Sequence, residues 1–236
     1  MSDFFGSGLS NMKAVTNEID IINSNITGAN ITAYKSTSHS YSGTGAISNG
    51  ALQTPDTSLI SGHTSLDFSQ GQLINSGTDT DFAIQGEGFF LLQNYQDVGT
   101  QTPNLVSRDG EFKFSTIDGL GTVLTNYSGL LVLDQSLNPI TKDDFYNNNA
   151  RPAVVMPDST LDSLKLSGLD STVYDLNGST FSAGTGQLQQ STLETSNTDM
   201  AQSLAALSYA KKKFDAMAAQ IKEEQSRLDI IINLIK

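Results

Sequence analysis

Few side chains in this sequence of 236 residues have the types and spacing that chemistry requires. Cysteine is absent, which excludes a disulfide, a zinc or iron–sulfur site built on thiolates, and a cysteine nucleophile. The two histidines, His39 and His63, lie in polar sequence and are not spaced as a pair of metal ligands. We therefore expect both histidines to be surface residues.

One acidic stretch suggests calcium binding at first sight. Asp79, Asp81 and Glu87 follow each other closely, but the glycine and the glutamate that an EF-hand needs at its sixth and twelfth positions are missing. We interpret these residues as turn residues next to a strand. The sequence predicts no bound metal and no other cofactor.

Paired carboxylates of the glycoside hydrolase type are an alternative that spacing alone does not test. Candidates are Asp67, Asp109, Glu111 and Asp134, and the mechanism depends on a separation of a few ångströms that sequence does not give. The chain has no tryptophan for a sugar platform and no phosphate-binding glycine loop. We predict that the protein is not an enzyme.

Charge divides the chain into three stretches. The net charge is −12, and residues 36–190 carry 16 acidic against five basic side chains, while both ends are nearly neutral. Such an acidic chain is a poor partner for nucleic acid, which needs clustered lysine and arginine. We expect a solvated middle domain between two ends that pack against other chains.

Both ends show helical periodicity. Apolar residues from Phe5 to Ile26 recur at spacings of three, four and seven, which predicts a helix with one apolar face that ends between Asn25 and Asn30. From Met200 to Ile235 the apolar positions alternate in steps of four and three over about five heptads, which is typical of a coiled-coil seam. The C-terminal helix is neutral, which argues against a membrane-surface helix, and no apolar run is long enough to span a membrane.

A C-terminal helix of about 40 residues would be about 60 Å long, whereas a domain of about 120 residues has a radius near 14 Å. The helix must therefore find partners in the N-terminal helix, in other copies, or in both, unless both helices fold back on the middle domain as an ordinary core. The predicted assembly interface consists of Leu9, Met12, Ile19, Ile22, Ile26, Met200, Leu204, Leu207, Phe214, Ile221, Leu228 and Ile232.

The middle of the chain is predicted to be β-structure. Short apolar runs alternate with the turn dipeptides Asp109-Gly110, Asp118-Gly119, Ser128-Gly129 and Asn177-Gly178, the last of which predicts a two-residue hairpin. We therefore expect an α+β fold in which the N- and C-terminal helices pair as a coiled-coil-like layer, with a compact all-β middle domain. The expected segments are an N-terminal helix (1–35), an extended Ser/Thr/Gly-rich segment (36–65), the β-domain (66–190) and a C-terminal heptad helix (191–236).

Three blocks of sequence resemble the bacterial flagellar axial proteins, the rod and hook group. They are IDIINSNITGANITAYK at 19–35, LDFSQGQLINSGTDTDFAIQGEGFFLLQ at 66–93 with SRDGEF at 107–112, and LETSNTDM at 193–200. The matching motif positions are Asn25, Asn30, Tyr34, Lys35, Gln70, Gly71, Asp81, Gly86, Gly88, Phe89, Phe90, Arg108, Gly110, Phe112, Leu193, Glu194, Ser196 and Asn197. Ala33 stands where the family usually has glycine, and Gly28 departs from the pattern in a way that we expect to loosen the end of the helix.

The resemblance implies a structural subunit of a hollow helical axial assembly of the flagellum, of rod or hook type, that polymerises through its terminal helices and serves motility. Its partners would be other copies of the chain, other flagellar axial proteins and the flagellar type III export apparatus, with no nucleic acid and no membrane insertion. Its place would be the basal body or hook, periplasmic or extracellular, reached without a cleaved signal peptide. The alternative is an adhesive or polysaccharide-active β-domain on a coiled-coil stalk.

Overall fold

The computed structural model describes residues 2–43, 46–49, 52–55 and 59–235, with side chains over 8–41 and 63–234. The chain forms two compact units. We call residues 1–27, 37–67 and 198–236 the helical unit, and residues 28–36 and 68–197 the β unit. The class is α+β, as the sequence predicts.

The helical unit contains two long helices, α1 (Ser2–Gly28) and α3 (Met200–Ile235). The Asp199 carboxylate accepts a hydrogen bond of 3.0 Å from the Gln202 amide and so caps the start of α3. A Cβ added to Gly8 would lie 3.3 Å from the Ile221 side chain, and Lys213 Nζ lies 2.8 Å from Glu18 Oε2. These two contacts show that α1 and α3 touch and run antiparallel, and a coiled-coil seam between them remains a prediction.

The Ser/Thr-rich stretch between the helices forms hairpins in its described part. Strand β1 (Thr37–Gly43) pairs with β4 (Leu59–Leu66), and β2 (Ala46–Asn49) pairs with β3 (Leu52–Pro55). The Tyr41 hydroxyl donates to Glu18 Oε2 at 2.6 Å and to the Ala14 carbonyl at 3.2 Å. These two hydrogen bonds attach the β1–β4 hairpin to α1.

Antiparallel strands make up most of the β unit. Its larger sheet has the order β13-β14-β8-β7-β11-β10-β9, with β12 paired to another part of β7 and β15 paired to β12. These strands are β7 (Phe89–Gln93), β8 (Leu105–Ser107), β9 (Lys113–Ile117), β10 (Gly121–Thr125), β11 (Leu131–Val132), β12 (Val154–Pro157), β13 (Lys165–Leu166), β14 (Val173–Asp175) and β15 (Phe181–Ala183). Two further pairs join β5 (Leu73–Asn75) to β17 (Thr192–Glu194) and β6 (Phe82–Gln85) to β16 (Gln187–Gln190).

The core of the β unit surrounds β7, whose five residues are all buried. A strand buried on both faces reads as a continuous apolar run, as Phe89–Gln93 does apart from its last residue. The short helix α2 (Lys142–Asn147) adds Phe145, which meets the Phe82 ring edge-on at a centroid distance of 6.0 Å. The Thr141 hydroxyl caps α2 by accepting from the Asp144 amide.

The predicted turns have mixed outcomes. Asp118-Gly119 joins β9 to β10 and Ser128-Gly129 joins β10 to β11, both as hairpins. Asn177-Gly178 forms a tight turn with φ of 52° and 80°, but the prediction of a hairpin is wrong, since β14 pairs with β8 and β13 while β15 pairs with β12. Asp109-Gly110 likewise joins two strands, β8 and β9, that do not pair with each other.

Candidate functional site

Three charged residues, one from each family motif block, meet inside the β unit. They are Lys35, Arg108 and Glu194, and all three are buried. Buried charges are costly unless they are paired and hydrogen-bonded, so the position of each charge has to be accounted for. We call these three residues the charge cluster.

Lys35 is the first member of the charge cluster. Its Nζ lies 2.6 Å from Glu194 Oε1 and donates to the Ser69 carbonyl at 2.7 Å. Both side chains of the ion pair have no exposed surface. The Gly71 amide donates to the same Glu194 oxygen at 3.0 Å, so this carboxylate oxygen is held from two sides.

Arg108 approaches Glu194 from another direction. Its Nε lies 3.2 Å from Glu194 Oε2, and its Nη1 donates to the Gly88 and Gly86 carbonyls at 2.6 and 2.9 Å. Burial lowers the pKa of Arg108, and the Glu194 carboxylate opposes that effect. The charge cluster holds two cations and one anion, and the carbonyl dipoles stabilise the excess positive charge.

The backbone before Lys35 shows that one departure from the family pattern carries strain. Ala33 has a φ of 54°, in the left-handed region that glycine occupies without strain, and the family usually has glycine there. Its amide donates to the Glu194 carbonyl at 2.8 Å, which holds the turn in place. The strain at Ala33 therefore comes from the geometry that delivers Lys35 to Glu194.

Gly28 has a packing role in addition to the one that we expected. A Cβ at this position would lie 2.4 Å from a ring carbon of Tyr34. The absence of a side chain thus lets the buried Tyr34 ring pack on the end of α1. The helix α1 ends at Gly28, and a loosening of the helix end by this glycine stays a prediction.

Neighbouring motif residues hold the segments that enter the charge cluster. Asn197 Oδ1 accepts from the Ser36 amide at 2.8 Å, and Asn197 Nδ2 donates to the Ser69 carbonyl at 3.2 Å. Gln70 bridges the Ile84 carbonyl at 2.6 Å and the Gly86 amide at 3.1 Å. These side chains fix the backbone whose carbonyl groups face Lys35 and Arg108.

The remaining motif residues lie outside the charge cluster. Phe90 and Phe112 belong to the core of the β unit, Asp81 is also buried, and Phe89 packs edge-on against Phe68. Gly110 lies against the Phe82 carbonyl, and Leu193 pairs with Ile74 between two strands. Ser196 is half-buried beside Asn197, and Asn30 is exposed after the end of α1. Asn25 lies in the helical unit, where its side chain bonds the Thr37 amide and carbonyl at 2.9 and 2.8 Å.

The predicted assembly residues of the two helices divide by exposure. Ile22 is buried, whereas Leu9, Met200, Leu204 and Ile232 are exposed. The half-buried members are Met12, Ile19, Ile26, Leu207, Phe214, Ile221 and Leu228. The side chains of Phe5 and Ile235, which also fit the periodic patterns, lie outside the described residues.

Sequence reasoning missed a second polar cluster, which lies in the helical unit. Tyr41 and Lys213 both contact Glu18, and Lys213 Nζ lies 4.9 Å from the centre of the Tyr41 ring. Burial raises the pKa of Glu18, but the hydrogen bonds from Lys213 and Tyr41 outweigh it and hold that pKa below its usual value. The one feature of the sequence that could have indicated this cluster is Tyr41, an isolated aromatic residue in a Ser-rich stretch.

Two of the carboxylates considered for chemistry accept backbone hydrogen bonds within turns. Asp134 accepts from the Ser136 and Asn138 amides, and Asp109 accepts from the Glu111 amide. Within the described part of the chain, no three His, Asp or Glu side chains are arranged to hold a metal ion. The same residues include no helix long and apolar enough to cross a membrane.

Comparisons with known proteins find similarity to flagellar proteins. No family model matches the chain. The chain is 29% identical to the flagellar hook protein FlgE of Helicobacter mustelae over 178 residues, which cover 64% of the chain and 38% of that protein. It is 34% identical to FlgE of Helicobacter pylori over 139 residues, covering 53% of the chain and 18% of the relative.

A rod protein matches as well. The chain is 29% identical over 164 residues to the flagellar basal-body rod protein FlgF of Caulobacter vibrioides, covering 64% of both chains. The chain thus spans less than two thirds of each relative. Taken with the three motif blocks, these similarities support a relationship to the flagellar axial protein family, the hook and rod group.

Proposed function

We propose that the protein is a structural subunit of a flagellar axial assembly, of rod or hook type, that polymerises into a hollow helical tube. The observation that carries this proposal is the meeting of all three motif blocks in the charge cluster of Lys35, Arg108 and Glu194. Relatives named as hook and rod proteins support it. The function is mechanical, and no catalytic step is part of it.

The end of α3 is suited to assembly. Ile230, Ile231, Ile232 and Leu234 are all exposed, and they point in different directions around the helix axis. At 100° per residue these four side chains cover more than half of the helix circumference, with Asp229 and Asn233 on the rest, and so wide an apolar surface is normally buried. We infer that copies of the chain cover this apolar surface of the last two turns of α3, together with the exposed positions Met200 and Leu204.

The partners and the location follow from the same proposal. Other copies, other flagellar axial proteins and the type III export apparatus are the partners, and the basal body or hook is the location. Coiled-coil-like contacts between terminal helices would form the inner layer of the tube. The β unit, whose acidic surface stays hydrated, would form the outer layer.

Electron microscopy of the purified full chain tests the proposal against the stalk alternative. An axial subunit forms open tubes, because head-to-tail contacts that do not close produce filaments. A coiled-coil stalk produces discrete oligomers, and that result would contradict the proposal. A chain without residues 1–27 and 198–236, which lacks both long helices, should stay monomeric under the same conditions.

A further inference from the structure

In the described part of the chain the main sheet ends at three edge strands, β9, β13 and β15, and the last two lie on opposite sides of β7. On one side the order runs through β8 and β14 to β13, and on the other side it runs through β12 to β15. Among the described residues, β13 pairs with β14 alone and β15 with β12 alone. Unpaired edges are surfaces that another chain can contact.

The edge at β13 carries an apolar projection. Leu166 and Leu169 are 50% and 55% exposed, and the turn between them passes through Gly168. Asp170 follows directly, and its carboxylate accepts hydrogen bonds from the Ser128 and Ser171 hydroxyls. Neither hydroxyl neutralises its charge, so the projection presents two leucines next to a negative charge.

The edge at β15 borders an open cleft of about 500 Å³. Its apolar lining includes Leu137, Val154, Phe181 and Leu188. Leu137 is 45% exposed and has a φ of 64°, so it combines left-handed backbone strain with exposure of an apolar side chain. Strain that persists in a folded protein points to a function at that position.

Arg151 gives this cleft a positive charge. Its Nη1 donates to the Phe145 and Ala150 carbonyls at 3.2 and 2.9 Å. Its guanidinium also lies over the Phe145 ring, with Cζ 4.9 Å from the ring centre, and among the described residues no acidic side chain forms an ion pair with it. The cleft therefore complements the projection in both hydrophobicity and charge.

We infer that the Leu166–Asp170 projection of one copy docks into the Arg151 cleft of the next copy. Leu169 would enter the apolar part of the cleft, and Asp170 would pair with Arg151. Because the two surfaces are different patches on opposite edges, the contact is head-to-tail and leaves a free patch at each end of a chain of copies. The inference rests on the proposed function and adds a contact between β units to the helix contacts.

Disulfide trapping tests this contact directly, because the natural chain has no cysteine. The test variant carries Leu169→Cys and Ala183→Cys, which place one thiol on the projection and one on β15 beside the cleft. Oxidation of the polymerised chain should give a ladder of covalent dimers, trimers and longer products. A disulfide forms only where the two Cα atoms come within about 7 Å, so the ladder reports direct contact.

Matched controls keep the result specific. Each single variant should stay monomeric on denaturing gels, and dimers from Leu169→Cys alone would contradict a head-to-tail contact. The pair Leu169→Cys with Thr116→Cys, which uses the exposed edge strand β9 instead, should give no ladder. A ladder from this control pair would mean that the trapping is not specific.

The outcomes separate the inference from the proposed function. Tubes with a ladder support both, and tubes without a ladder overturn the docking contact alone. A ladder without tubes supports the contact and contradicts the proposed tube, while the absence of both contradicts both.

A charge exchange provides a second test that does not depend on thiol geometry. Arg151→Glu and Asp170→Lys should each raise the concentration needed for assembly, by roughly tenfold for a loss of about 1.4 kcal/mol per contact. The double variant should recover most of that loss, because the pair is re-formed with opposite polarity. Additive losses in the double variant would overturn the inference.

Discussion

Lys35 and Glu194 are separated by 159 positions in the chain, yet their side chains form a fully buried ion pair of 2.6 Å. Glu194 also contacts Arg108, so one carboxylate serves two cations. The pair connects the segment that follows α1 with the segment that precedes α3. The charge cluster thus joins segments of the β unit that are far apart in the chain.

Removing the shared carboxylate should be the most damaging change in the charge cluster. Glu194→Gln leaves Lys35 and Arg108 buried without a counter-charge, and loss of one partner from a buried pair costs about 3–5 kcal/mol of unfolding free energy. Lys35→Met should cost less, because Glu194 keeps its pair with Arg108. Urea unfolding followed by circular dichroism measures both losses.

The control for this prediction is Glu223→Gln, which removes an exposed pair with Arg227 on α3. Exposed pairs contribute little, so no resolvable change is expected there. A Glu194→Gln protein as stable as this control would mean that the charge cluster does not hold the fold together.

Ala33 provides a second stability prediction. Ala33→Gly removes a buried methyl group, worth about 0.8 kcal/mol, and adds the flexibility of glycine, but it relieves left-handed strain of about 1–2 kcal/mol. The free energy of unfolding should therefore stay close to that of the natural chain. Ala83→Gly, in the buried strand β6 and without positive φ, should cost about 1.5 kcal/mol.

The comparison between the two glycine variants is the decisive measurement. Thermal unfolding of both proteins should show a clear drop in Tm for Ala83→Gly alone. An equal drop for Ala33→Gly would contradict the interpretation that this position is strained.

The third prediction concerns pH and Asp109. Burial raises the pKa of Asp109 to about 7, and the carboxylates of Glu111, Asp170 and Asp81 act in the same direction. Between about pH 4 and about pH 7 the folded protein holds a proton at Asp109 that the unfolded chain has released, so this group makes the protein less stable as pH rises. Above that range its effect is constant.

Asp109→Asn should remove this contribution while the amide oxygen still accepts from the Glu111 amide. Compared with the natural chain, the variant should gain stability at pH 8 and lose part of its pH dependence. Unfolding titrations at several pH values measure the difference. A natural chain and a variant with parallel pH profiles would show that Asp109 has an ordinary pKa.

Salt should strengthen assembly if the proposed polymer forms. Residues 36–190 carry a net charge of −11, so neighbouring copies repel each other. The screening length falls from about 14 Å at 0.05 M salt to about 6 Å at 0.3 M, which weakens the repulsion. Sedimentation across this range should show a falling critical concentration, and a rising one would contradict the charge argument.

Several parts of the fold could be predicted from local sequence. The spacings of seven and three at Met12, Ile19 and Ile22 predicted α1, the heptads after Met200 predicted a helix at α3, and Asp118-Gly119 predicted a turn that proves to join a hairpin. These features depend on residues that are close in the chain. The same is true of the α+β class, because each segment keeps its own periodicity.

Contacts between distant segments could not be predicted in the same way. The motif blocks marked Lys35, Arg108 and Glu194, but no local pattern states which of them touch. The turn predicted at Asn177-Gly178 is correct, but the predicted pairing of the strands on either side of it is wrong. The partners of β14 and β15 come from other parts of the chain. Tyr41 had no periodic pattern at all, and only the fold brings it to Glu18 and Lys213.

The most direct test of the central claim is electron microscopy of the full chain carrying Leu204→Asp or Ile232→Asp. Leu204 and Ile232 are both exposed on α3. A charge at either position should therefore leave the fold intact while it blocks burial of that position against other copies. Gln220→Asp, at an exposed polar position of the same helix, is the matched control. We expect tubes from the natural chain and from the control, and folded monomers from the other two; normal tubes from Leu204→Asp and Ile232→Asp would contradict assembly through the terminal helices.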